Sequence, residues 1–220
     1  SIVYVMGSGE NWNQVSATIE PLIEWRRRMG WTVEIIQVQN NGSSVAVKNA
    51  IQEAYDEWDV PPEFVVICGD TDGPFPMAFW DMRRGANYPY ESDHPFVLLD
   101  GDDLLADAAV GRLIFTSIGM LEDIVEKTIQ YESDPFIGNG DDRGWQKRAA
   151  FIAGDNRSGT SSIDMCRWSK NLMLRNGFED INELYWTPQN LRPDGQGFTI
   201  DNIDDGLSFF TYRGWTFMNG

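Results

Sequence analysis

Two short runs of this 220-residue sequence, FVVICGD at positions 64–70 and AAFIAGD at positions 149–155, share one pattern. Each run is apolar throughout until it ends in Gly-Asp. A strand without alternation between apolar and polar residues is covered on both faces, which is typical of parallel sheets. Because helical patterns separate these runs from other strand-like runs, the sequence predicts an α/β fold with right-handed connections between parallel strands.

The strand and helix patterns form two series. Further strands are predicted at Ile2–Met6, at Val33–Val38, in HPFVLLD (94–100), in AAVGRL (108–113), in INELYW (181–186) and from Leu207. Helices are predicted around residues 15–29, 47–58, 121–129 and 161–176, with a short one at 199–205. A polar, glycine-rich segment at 132–145 separates the series. We therefore predict an N-terminal subdomain at 1–135 and the first part of a second subdomain at 146–220.

The ends of the predicted strands mark the expected site. Ligands of parallel sheets bind beyond the carboxyl ends of the strands. Three dipeptides follow predicted strands and are expected at that edge: Gly69-Asp70, Gly154-Asp155 and Gly214-Trp215.

Charge and composition exclude two classes of partner. The chain has 34 acidic and 17 basic residues, a net charge of −17, so a nucleic acid would be repelled. No apolar run approaches the roughly 18 residues that a membrane helix needs.

The cysteines, Cys68 and Cys166, lie in apolar patterns and are expected to be buried free thiols. The charge, and the lack of a phosphate-binding glycine fingerprint, also disfavour a doubly wound domain that binds a small anion.

Three stretches, in this order, resemble the gingipain-type cysteine peptidases, a caspase-like α/β family. They are FVVICGD, the segment from ESDHPFVLLDGDDLLADAAVGRL to LEDIVEKTIQYESDP, and DDGLSFFTYRG. The most specific part runs from Ser92-Asp93 to Val110-Gly111-Arg112. The resemblance extends over most of the chain, from about Ile23 to Gly214. It implies two subdomains with flanking helices, the second of which is incomplete.

The resemblance implies a mechanism of peptide hydrolysis. A cysteine thiolate attacks the scissile carbonyl, a histidine transfers the proton, and backbone N–H groups stabilise the oxyanion. In the family the histidine follows a Tyr-Arg-Gly-like sequence, and Trp215 occupies that position here. The cysteine position is expected beyond Gly220. Tryptophan has only a donor N–H, and the single histidine, His94, lies elsewhere and is interpreted as structural or solvated, so no catalytic residue is predicted.

The resemblance also implies a place for substrate recognition. Members specific for basic residues use an acidic side chain near the start of the helix that follows the first strand of the second subdomain. Asp164 is the nearest carboxylate, Ser162 competes for the position, and a carboxylate there would pair with a substrate Arg or Lys. The alternative is a first-turn aspartate that the helix dipole favours.

The acidic turn DGDDLLAD, at positions 100–107, is a candidate metal site. Its carboxylates at Asp100, Asp102 and Asp103, together with Asp107, suit calcium, which prefers six to eight oxygen ligands. Calcium sites occur among gingipain-like enzymes, which favours a structural calcium ion here. The spacing does not match an EF-hand loop, and a solvated, self-repelling turn is the alternative.

Arg112, at the end of a predicted strand, is expected to be structural. Its planar guanidinium is predicted to tie together loop carboxylates or carbonyls, either Asp93 or Asp70.

Two functions follow from these features. The chain is interpreted as part of a gingipain-family cysteine endopeptidase domain, extracellular or on the cell surface, that acts on proteins or peptides. It would require the remainder of the domain as a partner and be inactive alone. The alternative is a non-catalytic relative, a pseudoenzyme that binds peptides or surface ligands.

Overall fold

The computed structural model describes residues 1–39, 42–82, 91–133, 144, 147–154, 161–186 and 215–219. The chain divides into two compact units, unit 1 (Ser1–Pro135) and unit 2 (Phe136–Gly220). Unit 1 contains β1 (Ile2–Gly7), α1 (Glu10–Arg28), β2 (Val33–Val38), α2 (Ser44–Glu57), β3 (Phe64–Cys68), β4 (Trp80–Asp81), β5 (Glu91–Ser92), β6 (Ala109–Leu113) and α3 (Ile118–Ser133). Unit 2 contains β7 (Arg148–Gly154), α4 (Ser161–Arg175), β8 (Asp180–Trp186) and β9 (Trp215–Asn219).

The main sheet of unit 1 is parallel throughout. Its strand order is β2-β1-β3-β6, and β1 lies between β2 and β3 with Val5 in register with Ile36 and Ile67. Every residue of β1 is buried, as the continuous apolar runs predict for a parallel strand. A two-residue antiparallel pair of β4 and β5 stands apart from this sheet.

Helix α1 follows the apolar spacing of its sequence. Its buried residues recur at intervals of three and four positions, so one face packs on the core: Trp12, Val15, Ile19, Leu22 and Ile23. The helix continues through Pro21. It ends before Gly30, whose φ of 96° is a left-handed conformation that favours glycine after a helix.

The starts of α2 and α3 are capped by serines. The Ser43 hydroxyl accepts a hydrogen bond from the Ala46 amide at 3.2 Å, and the Ser117 hydroxyl accepts one from the Met120 amide at 3.2 Å. Serine suits this position because its side-chain oxygen satisfies an amide that the first helical turn leaves free. Helix α3 packs against α1 and buries Leu121 and Val125.

The segment HPFVLLD is not a strand, and that prediction is wrong. Residues His94–Val97 form a 3-10 helix with Pro95 in its first turn. Proline has no N–H for a strand ladder, and its fixed φ suits the start of a helix. Phe96 and Val97 are fully buried nonetheless, so their apolar character reflects the core rather than a strand.

Unit 2 is built on a second parallel sheet, with strand order β8-β7-β9. Helix α4 packs against β7, and the small core contains Phe151 of the strand with Ile163 and Cys166 of the helix. The predicted short helix at 199–205 and the predicted strand from Leu207 lie outside the described residues. Most of the predicted junction at 132–145 does so too.

Trp215 does not lie at the carboxyl edge of the sheet of unit 2, and that prediction is wrong. Strand β9 begins at Trp215, which pairs with Ala149 near the start of β7, while Asn219 pairs with Ala153. Since the strands are parallel, Trp215 lies towards the amino end of this sheet and Asn219 towards its carboxyl end. The run WTFM directly after Gly214 is rich in strand-forming residues, so the sequence is compatible with a strand that begins at Trp215.

The α/β prediction, with mostly parallel sheets and flanking helices, is confirmed. Among the helices of the described residues, none is long and apolar enough to cross a membrane.

Candidate functional site

The Gly-Asp pair after β3 starts a tight loop at the carboxyl end of the sheet. Gly69 has a φ of 130°, and a Cβ there would lie 2.5 Å from the carbonyl oxygen of Phe75, so only glycine fits. The Asp70 amide donates to the Phe75 carbonyl at 3.1 Å, and the Met77 amide donates to the Asp70 carbonyl at 2.7 Å. These bonds fold residues 69–77 back over the strand end.

Arg112 holds this loop. Its Nε and Nη2 donate to the two carboxylate oxygens of Asp93, at 2.9 and 2.6 Å. The remaining bonds go to backbone carbonyls, those of Gly69, Asp70, Met77 and Ala78. The predicted structural role is confirmed: Asp93 provides the carboxylate, and Asp70 takes part through its carbonyl.

The Arg112 cluster holds Asp93 and the loop after β3 in place but supplies no acid or base for catalysis. The Arg112 side chain is only 8% exposed and the Asp93 side chain 20%, so the pair is partly withdrawn from water. Arginine stays protonated in proteins and has no acceptor atom, which leaves it electrostatic and geometric roles. The cluster therefore links β6, the loop after β3 and the segment before His94 into one support at the carboxyl edge.

The acidic turn is organised by its own backbone. Asp107 Oδ2 accepts hydrogen bonds from the amides of Leu99 and Asp100, at 2.6 and 2.9 Å, and Asp103 Oδ1 accepts one from the Leu105 amide at 2.8 Å. The two backbone bonds, from Asp100 and then Leu99, lower the pKa of Asp107.

The described residues contain no group of three His, Cys, Asp or Glu side chains arranged to hold a metal ion. A calcium ion at Asp100, Asp102 and Asp103 would therefore need main-chain carbonyls or water among its ligands. Calcium binding at this turn stays a prediction.

Both thiols are poor nucleophiles. Cys68 is fully buried at the end of β3, and this burial raises its pKa to about 12, despite the nearby Arg112 charge. Cys166 is buried in α4, and its pKa is raised first by burial and then by the charge of Glu183. Since the thiolate is the reactive form, neither cysteine is prepared for attack on a carbonyl at neutral pH.

His94 lies at the surface of unit 1. A nitrogen of its ring, Nε2, is 3.0 Å from the carbonyl oxygen of Leu104. This contact joins the 3-10 helix to the acidic turn, which agrees with the structural role expected from the sequence.

In unit 2, the strand β7 ends at Gly154 and α4 begins at Ser161. Asp164 lies in the first turn of α4, with 63% of its side chain exposed, and forms an ion pair with Arg167 at 3.7 Å. Ser162, its competitor in the sequence, is buried. The carboxylate of Asp164 is thus the accessible one of the two, and its part in substrate binding stays a prediction.

Comparison with known families decides the assignment. The model of peptidase family C25 matches residues 2–220, which is nearly the whole chain. The chain belongs to peptidase family C25. The gingipain-type resemblance is thereby confirmed for this C25 chain.

Two solved structures share the fold of this C25 chain. One is a complex of the Porphyromonas gingivalis RgpB pro- and mature domains, with a TM-score of 0.71 and 19% identity. The other is the Arg-specific cysteine proteinase gingipain R (RgpB), with a TM-score of 0.72 and 18% identity. Each match covers 100% of this chain and 47% or 46% of the solved chain, so the C25 chain spans about half of their length. The comparison with curated proteins gave no match.

One polar cluster of the C25 chain was missed by the sequence analysis. The Glu132 carboxylate, near the end of α3, accepts hydrogen bonds from Trp25 Nε1 and Arg26 Nη2 of α1, each at 2.8 Å. Burial would raise the pKa of Glu132, but the bonds from Arg26 and Trp25 outweigh it, so the pKa is lowered. The partners are more than a hundred positions apart, and no local pattern signals such a contact.

Proposed function

We propose that this chain is part of a gingipain-type cysteine endopeptidase domain that acts on proteins or peptides and is inactive by itself. Membership of family C25 supports the peptidase class. The observation that carries the proposed inactivity is the state of the thiols: Cys68 and Cys166 are both buried, with raised pKa values. The remainder of the domain would supply the nucleophile.

The test is an assay of the 220-residue chain on casein and on reporter peptides that end in Arg or Lys. We expect no turnover above the buffer control. Turnover that a thiol alkylator abolishes, and that is lost in Cys166→Ser or Cys68→Ser, would overturn the proposed inactivity.

A second candidate is a non-catalytic C25 module that binds peptides or surface ligands. Trp215 favours it, since a tryptophan stands where the Tyr-Arg-Gly-like sequence leads to a histidine in the family, and the single histidine of the chain, His94, lies elsewhere in the sequence. The parent sequence after Gly220 discriminates between the two. A cysteine at the end of the next strand with a compensating histidine favours the enzyme, and absence of both favours the binding module.

Asp164 is proposed to recognise a basic residue of the ligand. Support comes from its exposed carboxylate at the start of α4 and from the Arg specificity of gingipain R, which has the same fold. The test is binding of an arginine-containing peptide to the chain. Asp164→Asn should weaken binding about tenfold, as expected for loss of a charge-assisted pair, whereas Asp180→Asn should leave it unchanged.

Calcium at the acidic turn and an extracellular or cell-surface location complete the proposal. The exposed carboxylates of Asp100, Asp102 and Asp103 support the first, and the family alone supports the second. A ligand that binds only the folded state raises Tm. Calcium should therefore raise the Tm of the wild-type chain and not that of Asp102→Asn with Asp103→Asn; an identical Tm with calcium and with chelator would remove calcium from the proposal.

A further inference from the structure

A crevice in unit 1 lies where the direction of strand connection reverses. From β1 the chain continues through α1 to β2 on one side, and β3 then pairs with β1 on the other side. In open parallel sheets, the loops that leave two such strands diverge and form a crevice at their carboxyl ends, which is the usual place for a ligand. In this sheet the crevice falls between the segment after Gly7 and the loop after Gly69.

The structure has a cleft at this place. It measures about 440 Å³ and is lined by Ser8, Gly9, Glu10, Asn11, Trp12, Pro74 and Pro76. The volume is within the range of small-molecule sites. No sequence pattern marks these residues, because Ser8-Gly9 is too short to constitute a motif.

Trp12 occupies the base of the crevice between the two strand ends. A Cβ on Gly7 would lie 2.3 Å from Trp12 Nε1, and a Cβ on Gly69 would lie 3.2 Å from the far end of the same ring. The indole therefore fits between the strand ends because Gly7 and Gly69 have no side chains. Its nitrogen edge lies on the side of Gly7, and Trp12 is itself one of the residues that line the cleft.

The indole N–H of Trp12 has no acceptor among the residues that the structure describes. Trp12 is only 5% exposed, so its N–H is withdrawn from water. The other indole of α1 differs, because the N–H of Trp25 donates a hydrogen bond to Glu132. Buried polar groups are nearly always hydrogen-bonded, and a buried donor without a partner is costly. The N-cap Gly9 offers no side chain to α1 either. Its carbonyl accepts from the amides of Trp12 and Asn13, so among the described contacts only the amides of Glu10 and Asn11 are left as further donors beside the cleft. A ligand with an acceptor oxygen would satisfy these donors.

The charges around the cleft restrict the ligand further. Glu10 is exposed and lines the cleft, and the adjoining loop carries Asp70 and Asp72, whereas none of the lining residues is Lys or Arg. A dianion such as phosphate would be repelled at this site. A molecule that carries a carboxylate for the donors and an ammonium for Glu10 matches both features, and the ring of Trp12 with Pro74 and Pro76 offers an apolar wall for a side chain.

We propose that the cleft between the carboxyl ends of β1 and β3 binds a zwitterionic amino acid with an apolar side chain, held by Trp12 Nε1 through its carboxylate and by Glu10 through its ammonium. Binding in unit 1 is a property that the peptidase assignment does not provide. It can fail or succeed whether or not the domain hydrolyses peptides.

The test uses four probes on the 220-residue chain: L-leucine, 4-methylpentanoate, isopentylamine and inorganic phosphate. We expect L-leucine to bind most tightly in calorimetry, the two half-molecules more weakly, and phosphate not at all. In a ¹⁵N–¹H spectrum, L-leucine should move the indole signal of Trp12, which is identified by its loss in Trp12→Phe. If L-leucine gives no heat of binding up to about 10 mM, its Kd lies well beyond the millimolar range, and this result would overturn the proposal.

Three variants separate a bound ligand from an altered fold. Trp12→Phe should weaken L-leucine about tenfold through the lost hydrogen bond to a carboxylate, while Trp25→Phe, which removes an indole donor outside the cleft, should not. Glu10→Gln should weaken the binding of L-leucine about tenfold, because the ammonium loses its charged partner, and should not weaken the binding of 4-methylpentanoate, which has no ammonium. Equal effects of Trp12→Phe and Trp25→Phe, an unmoved Trp12 signal in the wild-type spectrum, or phosphate that competes with L-leucine would each contradict the assignment.

Discussion

Arg112 and the acidic turn at 100–107 belong to the same stretch of sequence, yet their charges act in different ways. Arg112 is almost fully buried and bonds the Asp93 carboxylate and four carbonyls from the loop after β3. The carboxylates of Asp103 and Asp107 are exposed and accept hydrogen bonds from amides of their own turn. The first cluster joins distant segments, and the second shapes one loop.

The difference indicates where charge affects stability in this chain. A charge that is withdrawn from water depends on its partner, so removal of the partner leaves an uncompensated group. An exposed carboxylate remains hydrated when a hydrogen bond is lost, so the cost is small. The Glu132 cluster, with a half-buried carboxylate, lies between these two cases.

The largest expected effect is that of Arg112→Met. It leaves Asp93 without a countercharge and removes the hydrogen bonds that Arg112 donates to four carbonyls, so the free energy of unfolding should fall by about 3–5 kcal/mol. Urea denaturation, monitored by tryptophan fluorescence, measures the change.

Arg112→Lys is the matched control for charge. It retains the positive charge but has no planar fork to reach both oxygens of Asp93, so we expect it to recover only part of the loss. In Arg112→Met with Asp93→Leu, no buried charge remains, and the double variant should be more stable than Arg112→Met alone. Equal stability of the wild type and Arg112→Met would show that the cluster contributes nothing.

A smaller effect is expected for Glu132→Gln. The change removes the charge that Trp25 and Arg26 share, and the free energy of unfolding should fall by about 1–2 kcal/mol. Trp25→Phe removes only one neutral donor and should cost less. A cost for Glu132→Gln as large as that for Arg112→Met would break the proposed relation between burial and stability.

The smallest effect is expected for Asp107→Asn in the acidic turn. Because the folded state lowers the pKa of Asp107, its contribution is complete above the ordinary Asp pKa of 3.8 and is lost as the pH falls through the lower folded value. The variant should therefore have a slightly lower Tm than the wild type at neutral pH, and the difference should shrink below pH 3.8. A difference that grows on acidification would reverse the sign assigned to this group.

Local features of the sequence were sufficient for most of unit 1. Apolar patterns predicted α1, α2 and the strand before Gly69, because each depends on residues close in the chain. The same reasoning failed for HPFVLLD, where buried apolar residues without a period are compatible with either a strand or a 3-10 helix. It failed also for Trp215, which was expected at the carboxyl edge of a sheet and instead begins β9.

For the candidate sites, the sequence supplied residue types and left the partners open. It restricted the carboxylate of Arg112 to Asp93 or Asp70, and the structure selected Asp93. It marked Asp164 and the acidic turn by composition, but exposure and backbone bonds were needed to describe them. The Trp25–Glu132 contact and the cleft beside Trp12 had no signal in the sequence.

The sequence by itself determined the fold class, the family and the absence of a histidine after Tyr212-Arg213-Gly214. These depend on periodicity and residue order, which are properties of the chain in one dimension. Only the tertiary structure decided that Trp215 begins a strand and that Trp12 lies between two strand ends, where its indole N–H has no acceptor among the described residues. Register, burial and hydrogen-bond partners are set by contacts between residues far apart in sequence, which no local pattern contains.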